Sequence, residues 1–215
     1  MTTYQCDITS AESVKSTFLT IEHDLALLNT VRTEQIFPSI LVNTAGYVSI
    51  SNLEDTKSEE SMKHLTTNIL GPMLCSQAFA KLYFSLCEKV EAGSSQPPPG
   101  RIVSISSQAA HSALYRHGAY CASKAGLLGL TRSMAAEWGG RGITANTVSP
   151  TISWTPLAQK AWGDQSVREA FLKTIPTGRF ALPQEVADAI LFLCQVSILF
   201  FFFFFLYENA SLELV

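Results

Sequence analysis

Tyr120 and Lys124 stand four positions apart, and Ser107 stands thirteen positions before the tyrosine, at the end of an apolar run. A phenol, an ammonium and a hydroxyl brought together can hold a substrate oxygen and move its proton, which is the chemistry of interconverting a carbonyl and an alcohol. An isolated phenol, with a pKa of about 10, is a poor acid or base near neutrality. A neighbouring cation favours the phenolate, so Lys124 is expected to pull the Tyr120 phenol down toward neutral pH. Ser107 is expected to donate to the substrate oxygen and keep it beside the tyrosine.

Such a trio needs elements to hold it. Residues 102–106, short, β-branched and apolar after the break at Pro97-Pro98-Pro99-Gly100, predict a buried strand with Ser107 at its C-terminal mouth. From Tyr120 to about Trp138, Ala122, Ala125, Leu127, Leu128, Leu130, Met134 and Ala135 recur at helical spacing. Tyr120 and Lys124 therefore share one helix face, a turn apart. Residues 143–148 predict another strand, ending in Ser149-Pro150. A Tyr-x-x-x-Lys pair alone is commonly a solvated helix face; the order strand, serine, Tyr-x-x-x-Lys helix, strand sets this one apart.

Two further motifs join that order: Asn43-Thr44-Ala45-Gly46 after the strand at 39–42, and Thr67-Asn68 in the next helix. Together they resemble the short-chain dehydrogenase/reductase family, from about residue 4 to about residue 194. The resemblance implies an α/β fold, a Rossmann-like doubly wound parallel sheet. It implies Asn68, Ser107, Tyr120 and Lys124 as catalytic residues, with Tyr120 as general acid or base. NAD or NADP would be the cofactor, bound by Asp7, Asn43, Ala45, Gly46, Tyr120, Lys124, Pro150, Ser153 and Thr155. By the same resemblance Lys124 holds the nicotinamide ribose hydroxyls, Asn68 fixes a water on a proton path, and Asp7 contacts the adenine. Helices at 58–91 and 119–138 would form a homo-oligomer interface.

Within the family, Pro150-Thr151 where Pro-Gly is usual, His117 three residues before Tyr120, and Trp162 in a lid segment are similar to the dicarbonyl/L-xylulose reductase branch and related polyol dehydrogenases. That likeness implies a small carbonyl or polyol substrate touched by Ser107, His117 and Trp162. Imidazole can hydrogen-bond a sugar hydroxyl, and indole can cover the apolar face of a short polyol. Packing of an amphipathic segment for Trp162 and a surface loop for His117 are equally open.

Two departures qualify the likeness. No Gly-x-x-x-Gly-x-Gly or Gly-x-Gly-x-x-Gly turn is present, and Gly139-Gly140-Arg141-Gly142 closes a helix instead of opening one. The expected sheet therefore lacks the first βαβ unit, and with it the residue that chooses between NAD and NADP. The last strand is also missing from the pattern: after Gln195 come Ser197-Ile198-Leu199 and six phenylalanines, Phe200 to Phe205. The expected organisation is a partial Rossmann-type domain at 1–195 and an unrelated hydrophobic tail at 196–215. The run is long enough in principle to span a bilayer, but it lacks flanking Lys or Arg, so a tail foreign to the fold is preferred to a membrane anchor. A catalytically inactive remnant that only dimerises or binds stays open as the alternative.

Composition agrees with one domain: 215 residues, 47% hydrophobic and 15% charged. A net charge of −3 and scattered cations give no case for nucleic acid. Five cysteines without Cys-x-x-Cys spacing argue against a disulfide framework or zinc and suit a reducing, cytoplasmic setting; no metal site is proposed. The remaining elements read as a strand stub at 4–6, a helix at 10–30 opened by a Thr9/Glu12 capping box, and a helix at 58–91 kinked or broken at Gly71-Pro72. A loop at 93–100, a lid-like helical piece at 155–173 and a helix opening at Pro183 follow.

Overall fold

Three apolar runs become parallel strands, β1 (Ile40–Asn43), β2 (Gly100–Ile105) and β3 (Ile143–Val148), in the order β1-β2-β3. Val42 lies beside Val103, and Val103 beside Asn146. Parallel neighbours need crossovers. One runs through α2 (Ser58–Leu65), a π-helical turn (Thr66–Leu70) and α3 (Gly71–Glu88); the other is α4 (Gly118–Trp138). The helix α1 (Ala11–Val31) precedes the sheet, and α5 (Gln165–Leu172) and α6 (Pro183–Cys194) follow it. This computed structural model describes residues 2–32, 35–90, 97–155, 158–159 and 162–195.

Alternation along β2 explains the layers. Ile102 packs with Phe79, Ala80 and Tyr83 of α3 and Met134 of α4, while Val103 packs with Val148 and with Leu193 of α6. Both strand residues are 0% exposed. Helices thus cover both faces, as a continuous apolar strand requires, and each such side chain contributes about 1.5–3 kcal/mol by burial. Glu185 in the first turn of α6 accepts from the Leu182 N–H and forks with Arg179, which holds its carboxyl down at about 2.

Several expectations shift. The stretch at 4–6 is not a strand: the Gln5 carbonyl accepts from Thr17 of α1 and the Tyr4 hydroxyl donates to Asp24, so this backbone serves the helix instead of a ladder. The cap of α1 is Ser10, whose Oγ accepts from Ser13 N, while Thr9 turns back onto Asp7. In place of the expected kink or break at Gly71-Pro72, the helix runs on through a π turn that ends at Leu70; widening the helix there relieves the clash between the Pro72 ring and the preceding turn. Strand β2 begins at Gly100, where an added Cβ would lie 2.8 Å from Ile143 Cγ1. The lid-like piece is helical at Gln165–Leu172. Among the described residues no helix is long and apolar enough to cross a membrane; the tail at 196–215 lies outside the described residues.

Candidate active site

The C-terminal ends of the three strands carry Asn43, Ser107 and Pro150, where ligand crevices in open parallel sheets lie. Leaving β2, Ser107 caps a short 3-10 turn by accepting from Ala109 N at 3.1 Å, and Gln108 N donates to the Pro150 carbonyl at 3.0 Å. Ser107 and Pro150 are thereby brought to one edge. Helix α4 is pinned to the same strand end: Lys124 Nζ donates to the Ile105 carbonyl at 2.7 Å, and Ser106 Oγ donates to the Lys124 carbonyl at 3.3 Å.

Tyr120 lies one turn before Lys124, whose Nζ is 5.8 Å from the phenol ring centroid. The expected lowering of the phenol does not follow. Burial pushes Tyr120 above its ordinary value and a hydrogen bond with Ser107 works against that rise, so desolvation outweighs any help from the lysine. Burial acts on Lys124 too, pulling its ammonium from 10.5 to about 8. The group whose titration approaches neutrality is therefore the lysine.

Asn68 sits in the π turn and is 0% exposed. Both amide N–H groups are spent on protein, one on the Tyr47 carbonyl at 2.8 Å and one on Ser123 Oγ at 2.9 Å. The water expected on Asn68 therefore cannot be held by those donors. The Ser123 hydroxyl passes on to the Tyr120 carbonyl at 2.8 Å. Beside this lies the Asn43–Gly46 segment. Asn43 Nδ2 donates to Ser76 Oγ and Ser104 Oγ, fixing the end of β1, whereas Ala45 and Gly46 are exposed. A Cβ built on Gly46 would lie 3.6 Å from Asn68 Oδ1 and 3.7 Å from Lys124 Nζ.

The outer residues divide. The His117 ring meets Tyr120 at 6.3 Å between centroids, and its Nδ1 bonds the Tyr115 carbonyl at 2.7 Å. Trp162 joins an aromatic cluster, 4.6 Å from Phe171 and 5.7 Å from Phe180, which favours the packing reading over a sugar platform. Ser153 forms a bridge with Ala181, and Thr155 Oγ1 accepts from Ala158 N. Asp7 is exposed, its Oδ1 accepting from Thr9 N and Oγ1. Those two bonds hold its carboxyl below the usual range.

The nicotinamide end of a dinucleotide would find suitable groups here. Ser149 Oγ, in a residue 5% exposed at the end of β3, has no hydrogen-bond partner, and the open Gly46 turn faces the lysine. Among the described residues no group of three His, Cys, Asp or Glu side chains could hold a metal. Sequence reasoning missed Tyr47, His64 and Ser123. Of these only Ser123 carries a signal, being three residues after Tyr120 on the same helix.

The sequence profile described as Enoyl-(Acyl carrier protein) reductase matches residues 1–198. A D-threitol dehydrogenase of Mycolicibacterium smegmatis is 39% identical over 190 residues, 88% of this chain and 65% of that protein. An L-xylulose reductase of Bos taurus is 35% identical over 154 residues, 72% of this chain and 59% of that protein. The chain thus spans less than two thirds of the length of either relative. The solved structure of ElxO with NADP bound superposes with a TM-score of 0.77 at 27% identity, covering 92% of this chain and 72% of that one.

Proposed function

The chain belongs to the short-chain dehydrogenase/reductase family, and from that premise we propose that it interconverts a carbonyl and a secondary alcohol on a small ketose, polyol or dicarbonyl, using NAD or NADP. The observation that carries this reading is the convergence of Ser107 on the Tyr120 phenol at the mouth of β2, with Lys124 buried behind both. Relatives named for D-threitol and L-xylulose support a short polyol chain as the substrate class. ElxO with its NADP supports a nicotinamide dinucleotide.

Residues at the Gly46 turn, Lys124, Ser149 and Pro150 would hold the nicotinamide end, and the bound dinucleotide would supply or accept the hydride. In reduction, the Ser107 hydroxyl donates to the carbonyl oxygen and holds it against Tyr120, which donates its proton as charge develops there. Burial keeps the phenol protonated, which suits the acid role. Lys124, drawn to about 8, can give up and regain a proton near neutrality and serves as the reservoir behind the phenol. In oxidation the same groups run in reverse. His117, whose ring meets that of Tyr120, would contact a substrate hydroxyl, and Trp162 would act through the packing of its aromatic cluster. The chain is also read as a cytoplasmic homo-oligomer, its free cysteines suiting a reducing compartment and the helices at 58–91 and 119–138 serving, by family likeness, as the contact.

Titration of the protein with NADH and NADPH, followed by nicotinamide fluorescence, tests this directly. Saturable binding of either reduced cofactor, and oxidation of threitol or xylitol when NAD+ or NADP+ is supplied as hydride acceptor, are expected. No binding at millimolar cofactor would leave the family remnant, a binding or dimerising module, as the function.

A further inference from the structure

The Tyr120 ring has two imidazole neighbours, His64 and His117, each 6.3 Å away between centroids and inclined at 69° and 66°. His117 is partly exposed, and its bonded carbonyl belongs to Tyr115, itself 87% exposed; His64 is 1% exposed. No step described above uses His64, yet its ring is locked. Its Nε2 accepts the Ser49 N–H at 3.1 Å, which leaves the proton on Nδ1, and Nδ1 donates to the Glu60 carbonyl at 2.7 Å. A third contact sets its edge against Tyr47 at 4.9 Å and 62°. The Tyr47 hydroxyl donates to Glu60 Oε2 at 2.7 Å, Lys63 Nζ lies 5.7 Å over the same ring, and Asn68 grips the Tyr47 backbone. His64 therefore fills the space between the segment leaving β1 and the phenol on α4, oriented by two backbone bonds and flanked by two aromatic rings.

We propose that His64 is a positioning residue for Tyr120, its locked imidazole presenting a fixed aromatic edge that sets the orientation of the phenol. The inference rests on the role given to Tyr120 above. An aliphatic side chain could occupy the same volume, but it has no polarised edge for the ring to meet and no atom for the Ser49 N–H. A buried imidazole is tolerated only because both its nitrogens are bonded, and those same bonds prevent the ring from turning.

The test follows the ionisation of Tyr120 itself. In protein labelled with carbon-13 at tyrosine Cζ, the Tyr120 resonance is assigned by its loss in Tyr120→Phe, and its titration midpoint is measured in the native protein, His64→Leu, His64→Gln and His64→Phe. Leu and Gln are expected to move the ionisation constant by about tenfold, whereas Phe, which keeps a ring edge but not the two bonds that lock it, should move it clearly less. Turnover in Leu and Gln should fall in kcat with KM nearly held. Identical midpoints in the native, Leu and Gln proteins, each folded by its melting curve, would overturn the proposal, as would a Phe variant that behaves like Leu. Should Leu fail to fold, Gln against Phe gives the same two outcomes. Midpoints that move as expected in a protein without turnover would support the positioning role while striking out the oxidoreductase reading.

Discussion

Asn68 grips both backbone polar groups of Tyr47: its Oδ1 accepts the Tyr47 N–H at 2.7 Å and its Nδ2 donates to the Tyr47 carbonyl at 2.8 Å. With the further bond to Ser123, one amide from the π turn ties the segment after β1 to the helix that carries Tyr120 and Lys124. The clamp is dry, Asn68 being 0% exposed, so its loss leaves buried groups unpaired. Each such group costs about 1–3 kcal/mol. Asn68→Ala is therefore expected to lower unfolding stability by roughly 2–4 kcal/mol in urea. A loss under about 1 kcal/mol would show that the clamp is not what holds these segments together.

The depressed lysine makes a prediction with a definite sign. Folded, Lys124 titrates at about 8; unfolded, at its ordinary 10.5. Between those values the unfolded chain holds a proton that the folded chain has released, so stability rises with pH across that window. Below about 8 the folded state bears the full cost of the buried ammonium. Relative to Lys124→Met, which cannot titrate, the native protein should gain up to about 3 kcal/mol from about pH 8 to about pH 10.5. Urea unfolding of both proteins across that range measures it, and a pH-independent difference would contradict the buried charge.

Gly71 lets the N-terminal segment lie against α3 just before Pro72. A Cβ there would meet Ile8 Cδ1 at 2.6 Å, Cγ1 at 2.9 Å and Cβ at 3.3 Å, so the neighbour's backbone would have to move as well as its side-chain tip. Gly71→Ala is expected to destabilise by about 1–3 kcal/mol and to displace Asp7 next to Ile8. Gly46→Ala, which meets its neighbours at ordinary contact distance, should melt close to the native protein. Equal midpoints for all three would remove the close-packing argument.

Much of the scaffold was legible because it rests on local patterns. β1, β2, α4 and β3 follow from apolar periodicity and from the breaks at the proline run and at Gly139–Arg141. The residues near Tyr120 followed from spacing, since a helix fixes what lies one turn away and a strand end fixes Ser107. What escaped depends on which surfaces meet. Nothing about His64, between Lys63 and Leu65 on a helix with a charged first turn, marks it as buried beside the Tyr120 ring. The sign of the Tyr120 shift was misjudged because spacing reveals a nearby cation but not how much water the fold removes. Trp162 illustrates the same limit: its partners, Phe171 and Phe180, come from segments whose approach no local pattern encodes.

Comparing the native protein with Tyr120→Phe in cofactor-coupled polyol oxidation, alongside fluorescence titration of both with NADH and NADPH, tests the central claim most directly. The phenol's part in proton transfer predicts that turnover falls by about a hundredfold or more while the cofactor dissociation constant stays within about twofold. Turnover at the native rate without the Tyr120 hydroxyl would contradict it.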